Sequence, residues 1–598
     1  MNRSPDYLLR ISLILLIFNC CRQAGEGETV TLSDLPPVQI PAALDSVIGI
    51  RSWLAIGPFE FNPRTTDPAL SFLKDDLKRY GIKEGLIDGK AVEKLQRRGI
   101  NTFLINESSP KIQLFNYVAG NKEKKSHFYL VARIHSVKAQ DAILIFDGSN
   151  SYALWLNGDK LVEERGKYNT NKTGDRFVNI TLHEGENLLF LKINRSSNLR
   201  SWDLICAIAS CREGERIFKV NYAGDFVVNP IVTDSFEVYA GPYPGGKVEV
   251  LDVENRVVAG GSFDRQHTNG TPFAVSNLGG LADGFYKVIL MAGDAKLEET
   301  VYKGNYNEFV EQVKASVAAI DDGSPYARDL TVAMERVNFL NSRPGDPKSP
   351  SETRYLNRNR VFWGYSLFRM LAGDASTKLM TCQDEDSNQG VFIFHAAKNL
   401  TQNIPPVFII PFALEGESMV EDWYTSNLDQ IEADNALADH YGLATVWIYA
   451  GGRNYSAVRA AKEIAAILKR LQSEYGIDDR KLFILGDSEG GRRALIQLAA
   501  TPDRYAACVV TAPLTLSGGN DGIPVSLLPQ MGKIPLLIRH GTGDDVSPVE
   551  HSRRFYAEAQ KYNLPVEYIE NEDSHVYINR DYRRFAFEFF CKIAQNDE

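Results

Sequence analysis

The apolar positions of this chain change period along its length, and each period predicts a different kind of element. Between Ser52 and Ser210, short apolar runs are punctuated by Gly, Pro, Asn and Asp. They are Trp53-Leu-Ala-Ile-Gly-Pro-Phe59, His127-Phe-Tyr-Leu-Val-Ala-Arg-Ile134, Ala142-Ile-Leu-Ile-Phe146 and Glu186-Asn-Leu-Leu-Phe-Leu-Lys-Ile193. Runs of this length and punctuation predict strands. Ser151-Tyr-Ala-Leu-Trp-Leu-Asn-Gly-Asp-Lys160 alternates its faces and turns at Asn157-Gly158, a pair that tolerates the positive φ angles of a two-residue hairpin. A second strand set follows between Glu213 and Tyr302: Ser235–Tyr239, Lys247–Leu251 and Gly284–Leu290. In residues 304–374 the period lengthens. Phe309, Val313, Val317 and Ile320 recur at helical spacing, Trp363, Leu367, Met370 and Leu371 form another apolar face, and Asn341–Pro350 breaks the two. Further on, the apolar runs Val407–Ile410, Leu482–Leu485, Ile534–Arg539 and Val566–Ile569 are interspersed with helical patterns over Pro548–Tyr562 and Tyr582–Ile593. Strands alternating with helices predict a parallel sheet.

Composition narrows the setting. At 598 residues the chain is long enough for three or four domains. Its 44% hydrophobic and 24% charged residues are those of soluble globular proteins. A net charge of −10 without a basic cluster excludes nucleic acid as a partner, since phosphate binding needs a basic face. Arg3 and Arg10 flank the start of an apolar run, Ile11–Phe18, too short to span a bilayer, which predicts a secretory signal. Cys20 directly after it is the candidate lipidation site, with Cys21 as a second position and ordinary signal cleavage as the alternative. Arg22–Asp34 would then be a tether. The expectation is an exported protein of the cell envelope, touching membrane only through that anchor. Past the signal, Cys206, Cys211, Cys382, Cys508 and Cys591 lack C-x-x-C spacing, which predicts no zinc site and no disulfide framework. Cys206 and Cys211 either pair or remain free thiols. No metal and no cofactor is expected.

The chemistry concentrates in Lys481-Leu-Phe-Ile-Leu-Gly-Asp-Ser-Glu-Gly-Gly-Arg-Arg-Ala-Leu495. An apolar strand breaks at Gly486-Asp-Ser-Glu-Gly490 and continues as a helix, the setting of a G-x-S-x-G nucleophile elbow. A serine on such a turn projects above the sheet, backed by a helix N-terminus that favours developing negative charge. In this chain order an acid and then a histidine must follow. Asp544 and Asp545 lie just past the strand ending at Arg539, and the spacing to Pro548 favours Asp544. Three histidines come after Ser488: His540, His551 and His575. His540 precedes the acid too closely to be the base, and His551 lies in a helical run. His575, on a loop after the last strand, is the expected general base.

Tyr475-Gly-Ile-Asp-Asp-Arg480 and Pro502-Asp-Arg-Tyr-Ala-Ala507 flank the elbow. They resemble the catalytic domain of the prolyl oligopeptidase family, and are equally similar to α/β-hydrolase esterases of the feruloyl esterase and polyhydroxybutyrate depolymerase kind. Ala438–Tyr449 is similar to the strand that follows the oxyanion loop in these families. The resemblance covers residues 375–598 and implies an α/β-hydrolase domain with a Ser488–Asp544–His575 triad. It departs at Pro411-Phe412-Ala413, which stands where the family carries His-Gly. Proline has no N–H to give. The expected oxyanion donors are therefore the backbone N–H of Glu489 and one at Phe412 or Ala413.

The N-terminal strand set resembles a galactose-binding-like β-sandwich. Trp155 there would either stack on a sugar or fill the core. The second set predicts an immunoglobulin-like sandwich of about 90 residues. The expected order is signal peptide 1–20, tether 21–49, galactose-binding-like sandwich 50–212, immunoglobulin-like sandwich 213–303, helical connector or lid 304–374 and hydrolase 375–598. The leading expectation is a serine hydrolase acting on a peptide or ester bond, the substrate being peptide or ester and possibly carbohydrate-linked. The alternatives are a carbohydrate esterase acting on decorated polysaccharide and a non-catalytic surface-binding lipoprotein with a degenerate hydrolase domain. No β-propeller repeat is visible, although a typical prolyl oligopeptidase would have one.

Overall fold

The computed structural model describes residues 30–60, 77–107, 111–117, 126–148, 151–164, 176–195, 203–221, 226–264, 272–320, 322–344, 350–387, 389–400, 405–410, 428–448, 456–477, 482–513, 525–544, 547–571 and 582–596. The chain divides into two compact units, Met1–Gly214 and Glu215–Glu598.

In the first unit, the strand Ser126–Ser136 pairs antiparallel with Ser52–Glu60 on one side and Gly185–Arg195 on the other, at the centre of a seven-stranded sheet. A five-stranded sheet has Gln140–Gly148 between Arg176–Leu182 and Asp203–Ala209. Phe128, Leu130, Ala132 and Ile134 share one core with Leu144, Phe146, Val178 and Cys206 of the second sheet. Tyr129 and Val131 point the other way, into a second core with Leu54, Val92, Leu95 and Phe190. Both faces of the first sheet are buried, so its strands read as continuous apolar runs instead of alternating. Trp155 belongs to that second core: it is 6% exposed, edge-on to Phe190, and packed so closely on Gly85 that a Cβ there would come within 2.6 Å of the indole. The hairpin at Asn157 (φ 52°) and Gly158 (φ 91°) has the two positive φ angles that the sequence predicts. Cys206 is buried and Cys211 exposed, and the two form no disulfide.

The second unit opens with a five-stranded sheet built around Gly245–Leu251, Gly284–Ala292 and Ala295–Lys303, beside a two-stranded ladder of Phe236–Val238 with Phe273–Val275. Three helices follow: α1 (Tyr306–Ala318), α2 (Pro325–Ser342) and α3 (Pro350–Leu371). α2 starts on a Ser324 cap whose side chain accepts from the Ala327 N–H, with Pro325 at its first position.

The rest is an eight-stranded sheet: β1 (Thr377–Gln383), β2 (Gln389–Ala396), β3 (Val407–Ile410), β4 (Ala444–Ile448), β5 (Leu482–Asp487), β6 (Tyr505–Thr511), β7 (Leu536–Gly541) and β8 (Val566–Asn571). The spatial order is β1-β2-β4-β3-β5-β6-β7-β8. β2 is antiparallel to both neighbours, and every pairing from β4 to β8 is parallel. The intervening helices are α4 (Leu428–Tyr441), α5 (Ala457–Tyr475), α6 (Glu489–Ala500), α7 (Glu550–Lys561) and α8 (Tyr582–Asn596).

Alternate strand residues feed opposite cores. Phe483 and Leu485 pack with Trp447, with Phe587 and Phe590 of α8, and with Val313, Leu330, Trp363 and Leu367 of α1–α3. Leu482 and Ile484 pack with Ile464 and Leu471 of α5, Leu495 and Leu498 of α6, and Phe555 of α7. The helices of residues 306–371 thus share a core with the sheet. A buried ion pair ties them to it: Asp329 of α2 accepts from the Thr381 N–H of β1 at 2.8 Å and from Arg470 Nη1 of α5 at 2.9 Å. A sheet with helices on both faces buries its strands completely, and β3, β4 and β6 are buried along their whole length.

Candidate active site

β5 delivers the candidate nucleophile. Strand geometry ends at Asp487, and Ser488 takes φ 51°, ψ −120° before α6 begins at Glu489. An L-residue adopts such angles only where its surroundings enforce them. Here the Ser488 N–H donates to the Thr511 carbonyl at 2.8 Å, and the Ser488 carbonyl accepts from the Arg492 N–H at 3.1 Å. The glycines let the strand and helix approach. A Cβ on Gly486 would collide with the Gly490 carbonyl, and one on Gly491 would come within 3.0 Å of the Gly486 carbonyl oxygen and 3.2 Å of Pro513. Ser488 occupies the N-cap position, yet its side chain makes no capping hydrogen bond. A structural serine there would normally satisfy the first-turn amides. Instead the hydroxyl is left to the sheet edge, in a residue that is 8% exposed.

Glu489 brings a carboxylate next to the expected oxyanion donor, where it would oppose developing negative charge. Its Oε1 accepts from Arg492 Nη1 at 2.8 Å and Arg493 Nε at 3.4 Å. These two guanidiniums offset the charge, so the Glu489 N–H is not set against an unpaired anion.

The candidate acid stands one turn beyond β7. The Asp544 side chain is fully buried. Its Oδ1 accepts from the Ser547 N–H at 2.7 Å, and its Oδ2 lies 3.1 Å from His540 Nε2. His540 is wholly buried and committed at both ring nitrogens. Nε2 also faces the Ser547 carbonyl at 2.8 Å, and Nδ1 lies 2.7 Å from Ser552 Oγ of α7. Two acceptors at Nε2 require the proton there, so Nδ1 accepts from the Ser552 hydroxyl. His540 therefore orients the acid loop and cannot serve as a base. The sequence excludes it as base but does not reveal this role; the signal is a histidine four residues before the acid at a strand end. His551 lies half-buried on α7, its basicity lowered by burial and by neighbouring His540.

The strand ends converge. Ile410 of β3 pairs with Gly486, Asp487 with Thr511, Thr511 with Arg539, and Gly541 of β7 with Asn571 of β8. β3, β5, β7 and β8 thus end along one edge of the sheet, with Ser488 and Asp544 just past the ends of β5 and β7, and open α/β sheets keep their sites at such an edge. His575, Phe412, Ala413, Asp545 and Cys20 lie outside the described residues. Among the described residues no group of three His, Cys, Asp or Glu side chains is arranged to hold a metal. Nor is any described helix long and apolar enough to cross a membrane.

No protein-family model and no curated protein matches the chain. Among solved structures it is similar to one from Bacteroides ovatus ATCC 8483, described as a putative dipeptidyl aminopeptidase IV, at 15% identity and a TM-score of 0.31. The match covers 37% of this chain and 36% of that one, so the chain spans about a third of the length of the structure it matches. Likeness at that level carries no argument about activity, which rests on the site's own geometry.

Proposed function

We propose that the chain is a serine hydrolase, prolyl-oligopeptidase-like in its catalytic domain, that cleaves a peptide or ester bond. The observation that carries this reading is Ser488: a non-glycine residue at φ 51° between a buried strand and a helix, its hydroxyl unused as a cap. Ser488 Oγ attacks the carbonyl carbon, His575 takes its proton, and Asp544 holds the imidazole in the working tautomer. The Glu489 N–H, with an N–H at Phe412 or Ala413, receives the oxyanion as the carbonyl bond opens. Collapse expels the amine or alcohol, which takes the proton from His575 and leaves an acyl-serine. Water, deprotonated by His575, attacks that ester, and Ser488 regains its proton as the acid product leaves.

In this reading the protein is exported and held in the envelope by lipid on Cys20, the strand-rich segments 50–212 and 213–303 are accessory sandwiches, and 375–598 is an α/β-hydrolase domain. The carbohydrate-esterase alternative loses its sugar platform, because Trp155 is buried. Labelling with a fluorophosphonate probe tests the reading. Strong labelling of the native chain that vanishes in Ser488→Ala supports it. No labelling of a folded native chain favours the non-catalytic, surface-binding alternative.

A further inference from the structure

Behind the elbow lies a buried charge cluster that the catalytic scheme does not use. Asp487, the last residue of β5, follows Phe483 and Leu485 on the face covered by α8. Its Oδ2 lies 2.6 Å from Arg583 Nη2, in the first turn of α8. The Arg583 side chain is 4% exposed and lies 5.9 Å from the ring centroid of Trp447 on β4. On its other side is Asp434 of α4, wholly buried, with Oδ2 at 3.6 Å from Nη1. Among the described residues neither Asp434 oxygen has a hydrogen-bond partner. Burial pushes the Asp434 carboxyl up to about 7, Arg583 opposing this and Asp487 adding to it. Beside Asp487 in the sheet register lies Thr511 and beside Thr511 lies Arg539, whose guanidinium sits 5.1 Å from the Phe585 ring centroid of α8.

Removing a guanidinium and two carboxylates from water is costly, and replacing such groups by apolar residues is often neutral or stabilising. The cluster therefore calls for a reason other than stability, and its location supplies one. Asp487 immediately precedes the strained Ser488, and strain persists only where the surroundings over-determine it. The Ser488 N–H bond to Thr511 fixes the elbow from β6. The Asp487–Arg583 pair fixes it from α8, the helix that directly follows the segment carrying His575.

We propose that Arg583 is a positioning residue. It fastens the first turn of α8 to the nucleophile elbow through Asp487, while Asp434 holds the guanidinium from the opposite side. The geometry of Ser488 and the chain entering α8 are then set by one buried contact. This rests on the reading of Ser488 as the nucleophile.

The test compares Arg583→Met and Arg583→Lys in the full chain, using p-nitrophenyl acetate turnover and the rate of fluorophosphonate labelling. In Arg583→Met, kcat and the labelling rate should fall together by about 10²-fold with KM within roughly threefold, the scale of a 1 Å misplacement. Arg583→Lys keeps a charge but not the fork, and should recover about a tenth of native kcat at an unchanged melting temperature. Folded Arg583→Met with native kcat overturns the proposal. So does a loss that tracks melting temperature and is not relieved by lysine, which marks a merely structural role. Should Arg583→Met fail to fold, Asp487→Asn decides: it preserves shape while removing the charge, and must lower kcat about tenfold or the proposal falls. Ser488→Ala is run alongside. If it keeps turnover, the hydrolase reading fails; if it is inactive while Arg583→Met is native-like, only the positioning role fails.

Discussion

Ser488→Gly and Ser488→Ala remove the same hydroxyl, and the backbone at that position makes them differ in stability. At φ 51°, ψ −120° a Cβ is crowded by its own backbone, whereas glycine is not. Holding a non-glycine residue there costs on the order of 1–3 kcal/mol. Alanine keeps the Cβ and the strain. The lost hydroxyl makes no capping bond, so Ser488→Ala should unfold at the native urea midpoint. Glycine releases the strain but frees the unfolded chain, which costs roughly 0.5–1 kcal/mol. The net gain over alanine is about 1 kcal/mol, roughly a fivefold shift of the folding equilibrium. Urea melts followed by tryptophan fluorescence report this, since Trp363 and Trp447 are buried in the core under the sheet. Both variants should be inactive, with glycine the more stable. A glycine variant equal to or weaker than alanine would mean that Ser488 carries no strain, and the argument that selects it as nucleophile would fail.

Two further outcomes are expected. Asp544→Asn should lower kcat/KM by about 10⁴-fold, the cost of losing the acid that fixes the histidine tautomer, while Asp545→Asn changes it little; equal effects would move the acid off the buried Asp544. Asp434 has a folded-state pKa raised to about 7 against about 3.9 unfolded. The folded chain therefore binds its proton more tightly, stability falls as pH rises from about 4 to 7, and Asp434→Asn should remove roughly 3 kcal/mol of that loss in urea melts at the two pH values. Parallel pH curves for the native chain and the variant would contradict a carboxyl raised by burial at Asp434.

Much of the fold is legible wherever a period runs long enough to be unambiguous. Leu482–Asp487, Leu536–Gly541, Val566–Asn571 and the helix from Tyr582 lie where the apolar runs predict them. Val257–Asp264 is a strand with little apolar signal, because it is an edge strand exposed along most of its length. α2 lies between the two expected helical faces. Its buried positions include Asp329 and Arg336, so charged side chains interrupt the apolar stripe that would announce it. The helices of residues 306–371 read as a connector because periodicity identifies a buried face without naming what buries it. The shared core with Leu379, Ile393 and Trp447, and the Asp329 contacts to Thr381 and Arg470, assign them to the sheet.

The site divides along similar lines. The elbow is readable because its requirements are local: strand, small residues at either flank, helix, all within fifteen residues. Asp544 is legible as a candidate acid from its strand end and spacing. His540 and Arg583 are not, since what defines them is contact across the fold. His540 gains its meaning from Ser552, twelve residues on, and Arg583 from Asp434 and Asp487, far apart in sequence. In the sequence both are single charged or titratable residues, and such residues usually face solvent. In the fold both are buried, one against the acid and one against the elbow. A buried polar group must be matched by a partner or it destabilises the chain. The cost of enclosing these two is borne beside the residues whose geometry the proposed chemistry depends on, which is where positioning would require it.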